Sequence, residues 1–385
     1  MRTGRVFLSW LQLSREKRRL AAAIAGIAFA VVLMLVQLGF KQTLIQSASL
    51  LYSHLTCDLV MISPEYEYVL ATGTFDQHRL YQALGFPGVE SVSFLNAALV
   101  SWKNPSTLED RVILLLGFKP RAGVFDLPDI DRGALALRDP EAVLFDSGSR
   151  SEFGPVAEEF RAGRPPTTEI EGRRVRVAGL FRIGTSFGVD GTVLTGDLNF
   201  ARLAPGWKTG RISLGLIDLR PGVDAGKVRD ALAARLARGA RVLTREQFMA
   251  LERSYWVENT PVGFIFNLGV LMGLIVGCII VYQILYTDVS DHLREYATLK
   301  AMGYPDRYFF FLVLQEALIL SLLGFLPGAL VSQCVYGVAA SATLLPLRMT
   351  PGRLLAVYAL TALMCAASGV LATRRLRLAD PAEIF

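Results

Sequence analysis

The sequence predicts a membrane protein of four transmembrane α-helices, with one large α+β domain outside the cytoplasm between the first helix and the second. Three observations predict it: four long uncharged or nearly uncharged apolar runs, basic residues gathered at both ends of the chain, and a long interval of ordinary globular composition after the first run.

The runs come first. Leu20 to Phe40, Thr260 to Thr287 and Leu354 to Thr373 hold no charge, and Tyr308 to Leu347 holds only Glu316. About 20 apolar residues of helix cross the roughly 30 Å hydrocarbon core, so each run is long enough to span. The overall 52% hydrophobic content would suit a large soluble protein equally well, so the clustering decides the class. The first run follows Arg15, Lys17, Arg18 and Arg19 and ends Gly39-Phe40-Lys41. It is longer than a signal-peptide core and lacks a small-residue cleavage site, so it reads as a retained helix.

Short-loop charge sets the orientation. Residues 1–19 carry Arg2, Arg5, Arg15, Lys17, Arg18 and Arg19 against Glu16, and residues 374–385 carry Arg374, Arg375 and Arg377. Positive residues stay in the cytoplasm, so both termini are expected inside. Arg348 and Arg353, between the third and fourth runs, mildly oppose this. The expected order is therefore a cytoplasmic segment 1–19, helix 20–40, domain 41–259, helix 260–287, cytoplasmic loop 288–307, helix 308–338, outer loop 339–353, helix 354–373 and cytoplasmic tail 374–385. The sequence pI of about 9.2 then reflects topology and anionic headgroups, the lipid bilayer being the partner, with no nucleic acid implied.

Within 41–259 two stretches read alike. Leu59–Ile62 is strand-like, Phe75–Leu84 helix-like and Val89–Trp102 strand-like; Ile212–Leu219, Asp224–Arg238 and Ala240–Leu243 repeat that order, with Val228, Leu232 and Leu236 on one helix face. The interval of about 119–205 differs: Thr168–Phe181 and Thr192–Leu198 cluster β-branched and aromatic residues around glycines. The expectation is an α/β subdomain built from both ends of the segment, with a β-rich subdomain inserted in its middle.

Enzymatic chemistry is not indicated. There is no GxxxxGK[ST] loop, Gly226-Lys227 lacking the earlier glycine, so the chain holds no ATP site of that kind and no cofactor site of its own. His54, His78 and His292 are scattered, so no metal site is expected. Ser147 and Ser186 lack the flanks of a nucleophile elbow. Cys57, Cys278, Cys334 and Cys365 form no disulfide framework, Cys57 being alone in the exported domain.

The informative segment is Asp291 to Arg307. It predicts a short surface helix with Leu293, Tyr296, Ala297 and Ala301 on one face and Arg294, Glu295 and Thr298 elsewhere. Gly303 suits the left-handed residue that ends a helix, and Pro305 suits the first turn of the next. Physics alone leaves two readings open: a helix lying among lipid headgroups, and a docking helix for a cytosolic partner.

Arg294-Glu295-Tyr296-Ala297-Thr298-Leu299-Lys300-Ala301-Met302-Gly303, then Leu314-Gln315-Glu316-Ala317-Leu318 and Leu323-Gly324, resemble the FtsX-like permeases of the MacB and LolCE type, as do Arg374-Arg375-Leu376-Arg377 and Asp380-Pro381-Ala382-Glu383. Trp10-Leu11-Gln12-Leu13, Glu152-Phe153-Gly154-Pro155 and Tyr282 to Leu293 resemble more closely the DevC-type permeases of DevBCA glycolipid exporters. The resemblance implies an inner-membrane ABC exporter permease with a MacB-like periplasmic core domain. It further implies a homodimer, a DevA-like ATPase subunit that binds the ATP, a DevB-like periplasmic adaptor and a TolC-like outer-membrane duct. Such proteins work by mechanotransmission, and the near absence of ionisable residues inside the spans is compatible with that. By resemblance, coupling to the ATPase falls to His292, Leu293, Arg294, Glu295, Tyr296, Leu299, Lys300, Met302 and Gly303, and Glu316 is a candidate functional membrane residue. Three other readings stay open: a lipoprotein-extracting or peptide-exporting relative, an FtsX-like regulator of a cell-wall hydrolase, and a membrane sensor.

Overall fold

A computed structural model describes residues 17–121, 123–186, 188–236 and 239–378. Most of the expected N-terminal segment, with Trp10 to Leu13, lies outside the described residues, as do Arg238 and the Asp380 to Glu383 tail. The chain divides into two compact units, Met1–Thr43 with Pro261–Phe385, and Leu44–Thr260.

Four helices among the described residues are long and apolar enough to cross a membrane. They run Lys17–Ala48, Pro261–Asp291, Asp306–Thr343 and Pro351–Leu378, and the first, second and fourth are longer than the apolar run that announced each. Hydropathy locates only the hydrocarbon-spanning part, whereas backbone hydrogen bonding carries a helix on into the headgroup layers. The first helix packs into its unit through Ile27, Ala30, Val31, Met34 and Leu35, all buried. Close approach depends on small residues. A Cβ at Gly324 of the third helix would sit 2.5 Å from Ile27 Cβ, and one at Gly328 would sit 2.8 Å from Val31 Cβ. On the second helix Gly269, Gly273 and Gly277 recur every fourth residue against Gln37, Leu33 and Ala30. In lipid, where burial of apolar surface gives no drive, such contact is what holds helices together.

The other unit holds, among the described residues, eleven strands: β1 Leu59–Ile62, β2 Phe75–Asp76, β3 Val89–Lys103, β4 Asp110–Phe118, β5 Ala142–Asp146, β6 Thr167–Ile170, β7 Arg173–Phe181, β8 Thr192–Gly196, β9 Arg211–Ile212, β10 Leu214–Leu219 and β11 Arg241–Thr244. Nine form one sheet in the order β11-β1-β10-β3-β4-β8-β5-β7-β6. The two stretches that read alike are both strand–helix–strand units, with helices Gln77–Gln82 and Ala225–Leu236. They interlace: β1 lies between β10 and β11, and β10 lies between β1 and β3, antiparallel throughout. This is the split βαβ arrangement.

The middle of the segment extends the same sheet. β3 pairs with β10 through its first half and with β4 through its second, and Trp102 on β3 pairs with Ile170 on β6. That last pairing closes β3, β4, β8, β5, β7 and β6 into a ring around Trp102, Ile113, Val143, Val177 and Val193. The expected insert of about 119–205 supplies β5, β6, β7 and β8 of this ring, and β3 and β4 come from outside it. The 15-residue β3 belongs to both parts, and β4 is drawn into the ring by pairing with β8, a relationship that local patterning does not encode.

Candidate functional site

The surface segment of the membrane unit folds into the helix Leu293–Ala301. His292 stands at its N-terminus, its Nδ1 3.0 Å from the backbone oxygen of Asp288 and 3.7 Å from the Asp288 carboxylate. The C-terminus closes in a Schellman arrangement: Tyr304 N–H donates to Leu299 O at 3.2 Å and Gly303 N–H to Lys300 O at 3.0 Å. Gly303 has φ of 94°, where a side chain would be strained, and Pro305 opens the third long helix. The turn from one helix to the next is thus fixed by backbone geometry.

The face of this helix that packs inward is anchored by Tyr296. Its ring is buried and meets Phe309 at 5.5 Å, with Leu312, Leu299 and Tyr308 completing the cluster. Leu293 and Lys300 are half-buried, and Arg294, Glu295, Met302 and Gly303 are exposed. The nine residues singled out in the sequence therefore divide. Tyr296 and Leu299 attach the helix to the bundle, His292 and Gly303 set its ends, and Arg294, Glu295 and Met302 face outward.

Glu316 is buried on the third helix, two turns past Phe309, and its carboxyl lies against that of Asp288 on the second. The same Asp288 thus meets both His292 and Glu316, linking the surface helix to two long helices. Arg19 of the first helix forms an ion pair with Asp291, tying a third element to this end.

Sequence reasoning missed the centre at the opposite end of the bundle. Arg353 is buried three residues into the fourth helix, where its guanidinium donates to Tyr336 Oη at 3.0 Å, Arg348 O at 3.0 Å and Gln42 Oε1 at 2.5 Å. The charge that weakly opposed the expected topology is therefore a tie among the first, third and fourth helices. A lone arginine at the start of an apolar run was the available signal, since a charge there needs partners. In the other unit it missed a buried carboxyl: Tyr66 Oη donates to Glu252 Oε1 at 2.5 Å, and the Tyr52 and Tyr66 hydroxyls are 3.0 Å apart.

No group of three or more His, Cys, Asp or Glu side chains able to hold a metal forms among the described residues.

Residues 20–235 match the MacB-like periplasmic core domain and residues 267–381 match the FtsX-like permease C-terminal domain. The chain belongs to the MacB-like, FtsX-like permease family. It is accordingly a transmembrane subunit of an ABC transporter, an inner-membrane protein whose domain of Leu44–Thr260 is periplasmic. Solved structures are similar at low identity. The periplasmic region of MacB from Actinobacillus actinomycetemcomitans is 9% identical over 54% of this chain and 95% of that one, with a TM-score of 0.36. The extracellular domain of the noncanonic ABC-type transporter YknZ from Gram-positive bacteria is 15% identical over 49% and 98%, with a TM-score of 0.32. A domain of a putative permease protein from Porphyromonas gingivalis is 14% identical over 49% and 86%, with a TM-score of 0.29. No curated protein sequence matches the chain.

Proposed function

We propose that this permease works by mechanotransmission in an exporter of a glycolipid or another amphiphile, with both termini cytoplasmic. A separate, DevA-like ATPase subunit binds and hydrolyses the ATP, and the helix Leu293–Ala301 is where its motion enters the membrane. The observation that carries this reading is the construction of that helix: both ends are fixed, Tyr296 is sunk into the bundle, and Arg294, Glu295 and Met302 are presented outward. A helix that merely floats among headgroups has no need of a rigid exit turn.

A homodimer is supported by the second long helix, where Ile265, Leu268, Met272, Ile275, Ile279 and Tyr282 are all exposed and alternate at spacings of three and four. That is the heptad seam of a left-handed helix pair. The periplasmic domain would meet a DevB-like adaptor and, through it, a TolC-like duct. The test is crosslinking and purification from the native membrane. Recovery of an ATPase and an adaptor in stoichiometric amounts supports the reading; recovery of the ATPase with a cell-wall hydrolase and no adaptor favours the regulator instead.

A further inference from the structure

The periplasmic domain continues into the membrane unit along the chain at two stretches, the one beginning at Leu44 and the one ending at Thr260. The structure fastens these stretches to each other. Arg245 donates to Ser53 O at 2.7 Å, Arg253 Nε to Ser49 Oγ at 3.0 Å, and the Tyr52 and Phe248 rings meet edge to face at 4.7 Å. The fourth tie is the buried relay already described, in which Tyr66 donates to Glu252 and lies 3.0 Å from Tyr52. Tyr52 belongs to the first stretch and Glu252 to the helix Arg245–Glu258 of the second.

We propose that the Tyr52–Tyr66–Glu252 relay is a proton-operated latch: it locks the two connections together while Glu252 carries a proton and loosens them when the proton leaves. Its part in coupling rests on the exporter reading above; the latch itself does not.

Three features support it. Glu252 is fully buried within the cluster of Tyr52, Tyr66 and Phe248, and its Oε2 has no well-formed hydrogen bond, so a charge there is poorly supported. Burial pushes its carboxyl up to about 7, outweighing Tyr66 and the Val69 backbone N–H, which favour the charged form. The groups that face it are held in the ties already named. Tyr52 and Tyr66 face it, and burial holds both hydroxyls well above their usual range. On its own helix Arg245 and Arg253 are engaged with Ser53 and Ser49, and Glu67 of the facing loop acts on Tyr255.

The sign follows from linkage. An opened connection exposes Glu252 to water, where its pKa returns to 4.5, so the closed form binds the proton more tightly. The latch is therefore strongest below that value, weakens as pH rises, and is fully loosened above about 7. Periplasmic acidity would stiffen the two connecting stretches.

The test is hydrogen exchange of the full-length protein in lipid nanodiscs at pH 5.5 and 8, reading the helix Arg245–Glu258 against strand Ala142–Asp146 as an internal control for the chemical rate. Opening of the helix relative to the strand should rise roughly thirtyfold at pH 8. Glu252→Gln, which keeps the neutral shape, should be protected at both pH values. Tyr66→Phe removes a hydrogen bond that favours the charge and should move the midpoint to higher pH, an effect that a simple packing loss does not give. A flat wild-type ratio, or a pH response unchanged in Glu252→Gln, overturns the latch. If exchange behaves as expected but no partner ATPase or adaptor supports export, the exporter reading falls and the latch stands.

Discussion

Tyr336 accepts a hydrogen bond from Arg353 Nη1 at 3.0 Å and donates its own hydroxyl to the backbone oxygen of Leu35, so a single phenol joins three membrane helices. The Arg353 guanidinium also stands 5.6 Å from the Tyr336 ring centroid. The charge is held entirely by neutral groups: a hydroxyl, a carbonyl and an amide. Such a network depends on every member, because a buried charge that loses one acceptor cannot recover it from lipid.

Tyr336→Phe should therefore cost roughly 1–3 kcal/mol, the penalty of an unmade buried hydrogen bond. Arg353→Lys should do no better despite keeping the charge, since an ammonium cannot reach three acceptors in the geometry of the guanidinium fork. Thermal unfolding in detergent measures both, and wild-type melting of both variants would show that the tie is dispensable.

A second prediction separates two glycines of the third helix. At Gly324 a Cβ would fall 2.5 Å from Ile27 Cβ, whereas at Gly337 nothing lies within 4 Å. Gly324→Ala should push the first and third helices apart and cost roughly 1–3 kcal/mol. Gly337→Ala should be neutral or stabilising by about 0.5–1 kcal/mol, since alanine loses less backbone entropy in a helix. Equal melting temperatures for the two would contradict the packing described.

Local chemistry made some of this visible in the sequence. The four long apolar helices were legible because length in lipid is a one-dimensional requirement. The Gly303 turn was legible because positive φ selects glycine, and the paired strand–helix–strand units because their periodicities repeat. The Tyr66–Glu252 bond, 186 residues apart, and the Trp102–Ile170 pairing that closes the ring were not. They are products of three-dimensional closure, and neither residue of such a pair signals its partner. The inward face of the surface helix was partly legible: Tyr296 was assigned to it, but Leu299 joins the same cluster because the third helix supplies Phe309 and Leu312 opposite both.

Thiol chemistry offers a test of topology. Cys57 is buried, and burial pushes its thiol up to about 12, so it should stay unreactive in the folded protein. Ser106 and Thr167 are exposed. Ser106→Cys and Thr167→Cys should each react with a membrane-impermeant maleimide in cells whose outer membrane is permeabilised. Protection of both until the inner membrane is lysed would reverse the orientation.

The helix Leu293–Ala301 gives the last prediction. Gly303 at φ of 94° ends it, and the hydrogen bonds from Gly303 and Tyr304 N–H fix the angle at which the chain enters the third span. Gly303→Val should strain this turn by roughly 1–3 kcal/mol, because a β-branched residue resists that conformation. Nothing lies within 4 Å of a Cβ there, so the loss is conformational and should leave insertion intact. Glu295 is exposed, and reversing it tests the outward surface alone. If that surface docks on an ATPase, Glu295→Lys should weaken association by like-charge juxtaposition. If it lies against anionic lipid instead, the added positive charge should be tolerated or should strengthen membrane contact. Tyr296→Ala tests the anchor separately: it removes the buried ring that meets Phe309, so it should loosen the helix without altering its outward charges. All three variants should reach the membrane in normal amounts and lose partner ATPase on co-purification, together with export. Wild-type recovery of the ATPase by Glu295→Lys and Gly303→Val alike would remove the assignment of this helix as the point where force enters.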